Sequence, residues 1–110
     1  MIAASYIDLL DTRHALDMQL KLTADERELL EIIAVCAKRG KPLTVGDVMS
    51  FTHLSSPATL HRRLDQLVDK RMIFHSHRDG DRRTKYLLPG LPAVAYFERM
   101  ADALVTGSAA

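Results

Sequence analysis

The sequence predicts a mainly α-helical fold with one small β-hairpin, and three observations predict it. Thr23-Ala24-Asp25-Glu26 and Thr44-Val45-Gly46-Asp47 each place a hydroxyl at a helix N-cap and a carboxylate three residues on, a pairing that satisfies two orphaned backbone amides. After residue 71 the apolar period changes from the helical three-to-four to the strand's two. Asp79-Gly80 separates two runs of strand character, and both residues tolerate the positive φ of a tight hairpin turn. Two close helices followed by an arginine-tipped two-stranded loop have the layout of a winged helix-turn-helix, here α+β with flanking N- and C-terminal helices.

Residues Ile2 to Leu20 form the first predicted helix. Ile2, Tyr6, Leu9, Leu10, Leu16 and Leu20 recur at spacings of three and four, with an interruption at Arg13. The second helix opens at the Thr23 box and runs through Leu29, Leu30, Ile32, Ile33 and Cys36. Lys38 and Arg39 suit its C-terminal dipole, Gly40 can take the left-handed cap, and Pro42 prevents continuation. The third helix is short, with Val48 and Met49 for the core, and Ser50 to Leu54 form a turn. Ser55 or Ser56 caps the fourth helix, Pro57 sits near its first position, and it reaches Asp69 or Lys70. Met72 to His77 and Arg82 to Leu88 are the two strands; Lys41 to Leu43 is a candidate for a third, short one. Pro89-Gly90-Leu91-Pro92 reads as a break. Ala93 to about Val105 is the terminal helix, with Tyr96, Phe97, Met100 and Leu104 on one side, and disorder is expected only from Thr106 to Ala110. Residues 1–110 are read as one domain, divided into an N-terminal helix (1–22), a core (23–90) and a C-terminal helix (91–105).

The composition, 47% apolar and 26% charged, is that of an ordinary globular domain. Cys36 is the lone cysteine, so no internal disulfide forms, and its apolar helical setting makes it a small core residue. The first residues carry no basic, apolar signal-peptide pattern. No apolar run approaches the ~18 residues that span a bilayer, so a cytoplasmic location is expected. The net charge of +1 hides a segregation: Pro57 to Tyr86 holds eight basic and four acidic residues. A basic segment on a slightly acidic body points to a polyanion on one face.

In the fourth helix Leu60, Leu64, Leu67 and Val68 make one stripe for the core. At about 100° per residue the opposite face centres on Arg62 and Gln66, with Ser55, Thr59 and Asp69 nearby. Arg63 and Lys70 flank it on one side, Ala58 and Asp65 on the other. An arginine can donate two bonds to guanine and a glutamine can pair with adenine. Ser55 and Ser56 precede free amides that favour a phosphate. A solvated helix also carries polar residues. The Arg/Gln/Ser/Thr character beside a hairpin bearing Arg78, Arg82 and Arg83 favours DNA binding.

Leu43-Thr44, Asp47-Val48, Leu54-Ser55-Ser56-Pro57-Ala58-Thr59-Leu60-His61-Arg62, Asp65-Gln66-Leu67 and the wing Asp81-Arg82-Arg83 resemble the helix-turn-helix and wing of the MarR family of bacterial regulators. The resemblance covers roughly residues 24–90, and its wing tripeptide is the sharper part. It implies a transcriptional regulator with Arg62 and its neighbours in the major groove and Arg82 or Arg83 at the minor groove or its phosphates. It implies that Asp81 pairs with an arginine and holds the wing in shape. It also implies a homodimer built from the terminal helices (Tyr6, Leu9, Leu10, Tyr96, Phe97, Met100, Leu104) on a pseudo-palindromic operator with half-sites about one helical turn apart. The sequence departs from the family at Arg71, where many members have glycine, at Arg63, often apolar there, and at Pro89, usually threonine.

Other chemistry is poorly supported. His75 and His77 lie two apart on a strand and share a side; a metal would need further ligands such as His53 or His61, and no tight cluster is visible. No metal or cofactor is expected. His14 is read as solvated or at a subunit contact. No nucleophile–base pairing or Gly-rich phosphate loop marks an enzyme. Tyr6, Tyr96, Phe97 and Met100 could line an effector pocket, though such a stripe is more often core or dimer interface. The competing functions are a winged-helix protein–protein module, which needs an apolar, weakly charged reader face, and a DNA-binding accessory or replication module without a regulatory role.

Overall fold

A computed structural model describes residues 2–109, and the side chains of 3–105. The side chains of Ile2, in the expected apolar stripe, and of Thr106 to Ala110 lie outside those described. The element order is α1 (Ile2–Leu20), α2 (Ala24–Lys38), α3 (Val45–Met49), α4 (Pro57–Asp69), β1 (Ile73–Arg78), β2 (Asp81–Pro89) and α5 (Leu91–Ala109). The predicted α+β winged helix-turn-helix with flanking helices is the architecture found.

Both capping boxes form. Thr23 Oγ1 accepts from the Glu26 amide at 3.1 Å while the Thr23 amide donates to Glu26 Oε1 at 2.9 Å. Thr44 and Asp47 make the same exchange at 3.0 and 2.9 Å. Ser56, not Ser55, caps α4, accepting from the Thr59 amide, with Pro57 in the first turn. Gly40 and Gly80 take the left-handed backbone at φ 77° and 81°, closing α2 and turning the hairpin.

The core gathers Leu29, Leu30 and Ile33 of α2, Val48 of α3, Leu60, Leu64 and Leu67 of α4, Ile73 of β1 and Leu87 of β2. The strands pair antiparallel, His75 opposite Leu87 and Ser76 opposite Tyr86, with a register irregularity between Ser76 and Arg78. The third strand expected at Lys41 to Leu43 is reduced to a bridge, Thr44 opposite Tyr86, and one bond from the Leu87 amide to the Leu43 carbonyl at 2.8 Å.

Three expectations are corrected. The break at Pro89 to Pro92 is confined to Gly90. Helix α5 starts at Leu91 and runs to Ala109 rather than about Val105, because a proline in the first helical turn loses only an amide that had no partner there. Helix α1 spans Ile2–Leu20 as expected. Its stripe is not simply apolar: Tyr6 is exposed, whereas Ser5 and Asp17 are buried with Leu16. Asp17 Oδ1 accepts from the Tyr96 hydroxyl at 2.6 Å, and Asp17 Oδ2 from Arg27 Nη1 at 2.5 Å, joining α1, α5 and α2. With Leu16 and Leu20 near Pro92 and Tyr96, α1 and α5 form an antiparallel arm, and the described residues together extend over 49 × 30 × 23 Å.

Arg71, just past α4, has φ 60°. A left-handed non-glycine residue costs about 1 kcal/mol, which glycine avoids while losing a comparable amount to unfolded-state entropy. Because Arg71 is exposed, Arg71→Gly is expected to leave stability within about 0.5 kcal/mol of the parent, whereas Arg71→Val costs about 1–2 kcal/mol. Equal urea midpoints for Arg71→Val and the parent would refute the strain.

Candidate nucleic-acid interface

Helix α4 is held from one flank. Glu26, 1% exposed, caps α2 and receives Lys70 Nζ at 2.9 and 3.1 Å, and Lys70 also donates to the Lys21 carbonyl. Burial pushes the Glu26 carboxyl up, but the Thr23 amide and the Lys70 ammonium outweigh it and hold the group below its ordinary value. Arg63 Nη2 donates to Asp25 Oδ2 at 3.1 Å, and its side chain is only 19% exposed. Arg63, expected as a DNA contact, is thus engaged by α2 in the free protein. Lying one residue past Arg62, Arg63 is turned by about a quarter of the helix circumference toward α2. Its place in a position often apolar follows, since its stem packs against the neighbour while its head finds a carboxylate.

With that flank docked, the outward face of α4 is free. Arg62 and Gln66 are exposed, Thr59 is half-buried, Ser56 is exposed at the N-cap, and Ser55 is half-buried in the turn before it. Ser56 Oγ donates to Thr59 Oγ1 at 3.0 Å, so both hydroxyls are held at the helix start.

The wing is shaped differently from expectation. Asp81 makes no ion pair with an arginine among the described residues. Its Oδ1 instead accepts the backbone amides of Arg83 and Thr84 at 2.9 and 3.3 Å, and these amides, the Arg83 amide foremost, hold its carboxyl below the ordinary range. An aspartate closing a local turn over the amides two and three residues on is the simpler device. It leaves Arg82 and Arg83 exposed at the wing. Arg78 lies over the Tyr86 ring, 4.7 Å from its centroid, which stiffens the strand opposite the tip.

His75 of β1 and Arg83, Thr84 and Lys85 of β2 face α4. With His61 and Asp65 from the near flank of α4 they line an open cleft of about 490 Å³ between helix and wing. Sequence reading did not assign His61, His75 or Lys85 to the site; the period of two was the available signal, but only the docking of the hairpin shows which helix flank it meets.

Of the residues expected at a dimer contact, Tyr96 and Met100 are buried in the chain's own core, Leu9, Leu10 and Phe97 are half-buried, and Tyr6 and Leu104 are exposed. Phe97, but not Tyr6, Tyr96 or Met100, lines an open apolar groove between α2 and α5 with Val35 and Val94. Among the described residues no three His, Cys, Asp or Glu groups converge to hold a metal, and no helix is long and apolar enough to cross a membrane.

A docked helix pair, an outward polar face on the second helix and an arginine-tipped hairpin beside it define a winged helix-turn-helix domain. The same fold is found in the transcriptional regulator Tm0710 from Thermotoga maritima, with a TM-score of 0.67 at 13% identity over 92% of this chain and 67% of that one. It is found in a MepR mutant from S. aureus bound to an oligodeoxyribonucleotide, with a TM-score of 0.63 at 18% identity over 88% and 68% of the two chains. Rv1404 from Mycobacterium tuberculosis matches with a TM-score of 0.63 at 17% identity over 97% and 70%. No protein-family model and no curated protein matches the sequence.

Proposed function

We propose that the protein is a MarR-like transcriptional regulator that binds double-stranded DNA in a sequence-specific way. Helix α4 enters the major groove and the wing lies on the minor groove or backbone. The observation that carries this reading is the free outward face of α4, Arg62 and Gln66, beside exposed Arg82 and Arg83. An apolar face there would fit a protein partner instead. The likeness to a structure solved with an oligodeoxyribonucleotide supports it. A chromosomal target places its work in the cytoplasm.

The reading includes a homodimer on a pseudo-palindromic operator. Tyr6, Ile7 and Met18 on α1 and Leu91, Val94 and Val105 on α5 are exposed, and an apolar surface of this kind on the terminal arm suits a second copy. Sedimentation equilibrium at micromolar concentration is expected to give a dimer.

Selection from a randomised duplex library, followed by anisotropy titration across a salt series, tests the DNA reading. A palindromic motif and a steep fall of log affinity with log salt are expected. Arg62→Ala is expected to weaken the selected site by about 1–3 kcal/mol, while Arg82→Ala with Arg83→Ala flattens the salt slope by about two. No duplex binding at low salt would overturn the proposal, and equal losses on selected and random DNA would reduce Arg62 to a phosphate contact.

A further inference from the structure

A helix in the major groove and a hairpin at the adjacent minor groove must straddle the sugar–phosphate strand between them. In this chain the corresponding place is the cleft between α4 and the wing. We propose that this cleft seats a backbone phosphate of the duplex beside His61, with Arg83 and Lys85 as fixed cations and His75 taking up a proton as the phosphate enters. The inference rests on the DNA-binding reading and deepens it by making affinity proton-linked.

The charges facing the cleft can be named element by element. Helix α4 contributes His61 and Asp65, whose Nδ1 and Oδ2 lie 3.2 Å apart. Strand β1 contributes His75, and His77, two residues on, is tied to the Thr84 carbonyl at 3.0 Å. Strand β2 contributes Arg83 and Lys85. On α3, Asp47 is held by the Thr44 amide. With both imidazoles neutral, Arg83 and Lys85 are opposed by Asp65. Protonating His75 adds a third cation.

The free cleft is poised for this change. Burial first, and then the Lys85 and His77 charges, push His75 below its ordinary value of 6.5, outweighing the pull of Asp65. His75 is therefore mostly neutral at pH 7 until an anion arrives. An incoming phosphate favours the charged form and raises the bound-state value. The sign follows: the added affinity is fully present below the free-state value and is lost as pH rises through the bound-state value. Histidine is the side chain whose charge changes in this range.

The test is DNA affinity at constant ionic strength from about pH 8 to about pH 5.5, where imidazoles titrate, for the parent and for His61→Gln with His75→Gln. Both side chains are exposed, so the variant keeps its core, and His14, His53 and His77 remain as a background. The parent is expected to gain at least about tenfold more affinity than the variant across this range, the effect of one unit of pKa shift. Lys85→Gln is expected to lower affinity at every pH. Parallel pH profiles for parent and double variant would overturn the inference while leaving the DNA reading intact; absence of binding at every pH would overturn that reading itself. NMR titration of the imidazoles in inorganic phosphate separates the remaining source of the anion. A raised His75 value there, with a pH-flat DNA affinity, would assign the cleft to a free anion and overturn the backbone seat.

Discussion

Gly90→Ala is expected to destabilise the fold by about 3 kcal/mol, at the top of the usual range for forced overpacking. A Cβ at Gly90 would lie 2.2 Å from the Arg71 carbonyl oxygen and 3.3 Å from its carbon. Neither side can yield cheaply. The Gly90 amide donates to the Met72 carbonyl at 2.9 Å, and the Gly90 carbonyl accepts from Ala93 and Val94 at 3.0 Å, so the contact joins the start of α5 to the segment linking α4 to β1. Arg71 is itself in the left-handed backbone region. Gly46→Ala is the control: its Cβ would meet only Thr44 Oγ1 at 3.7 Å, and inside a helix the change is expected to be neutral or stabilising by up to about 1 kcal/mol. Equal urea midpoints for the two variants would refute the close approach.

Asp17→Ala is expected to cost about 3 kcal/mol, the loss typical when one partner of a buried pair is removed. It strands the Tyr96 hydroxyl, in a residue 2% exposed, and the Arg27 guanidinium, which both donate to it. Asp17→Asn keeps an acceptor for one donor and is expected to cost about half as much. A double-mutant cycle with Tyr96→Phe should return a coupling above about 0.5 kcal/mol, the signature of residues in one network. Additive losses would show that Asp17 acts by itself. Burial first, then Asp17, also raises the Tyr96 phenol well above its ordinary value of 10. Stability from that shift is whole below the unfolded value and declines as alkaline pH climbs through the folded one. In a spectrophotometric titration Tyr96 should ionise only as the chain unfolds.

The order of elements was legible because its signals are local. A hydroxyl and a carboxylate three residues apart start a helix wherever they stand, and Asp79-Gly80 turns a hairpin without help from the rest of the chain. The stripe Leu60, Leu64, Leu67 likewise announced both the buried side of α4 and, by opposition, the outward Arg62 and Gln66. The start of α5 was misread because Pro92 is a breaker inside a helix and harmless in its first turn, and position within the helix depends on where Gly90 meets Arg71.

Long-range pairings were out of reach. The carboxylate that engages Arg63, Asp25, stands 38 residues away. Lys70 looked like a flanking cation until it met Glu26. Asp17 lay unnoticed on α1 because a lone acid in a helix is usually solvated, and its partners Tyr96 and Arg27 come from two other elements. Sequence alone thus carries the order of the elements, the two capping boxes, the basic segment and the outward face of α4, all products of short-range geometry and periodicity. Tertiary structure decided which charges are spent inside the fold and which converge on the helix–wing cleft, because that depends on the docking of elements far apart in the chain.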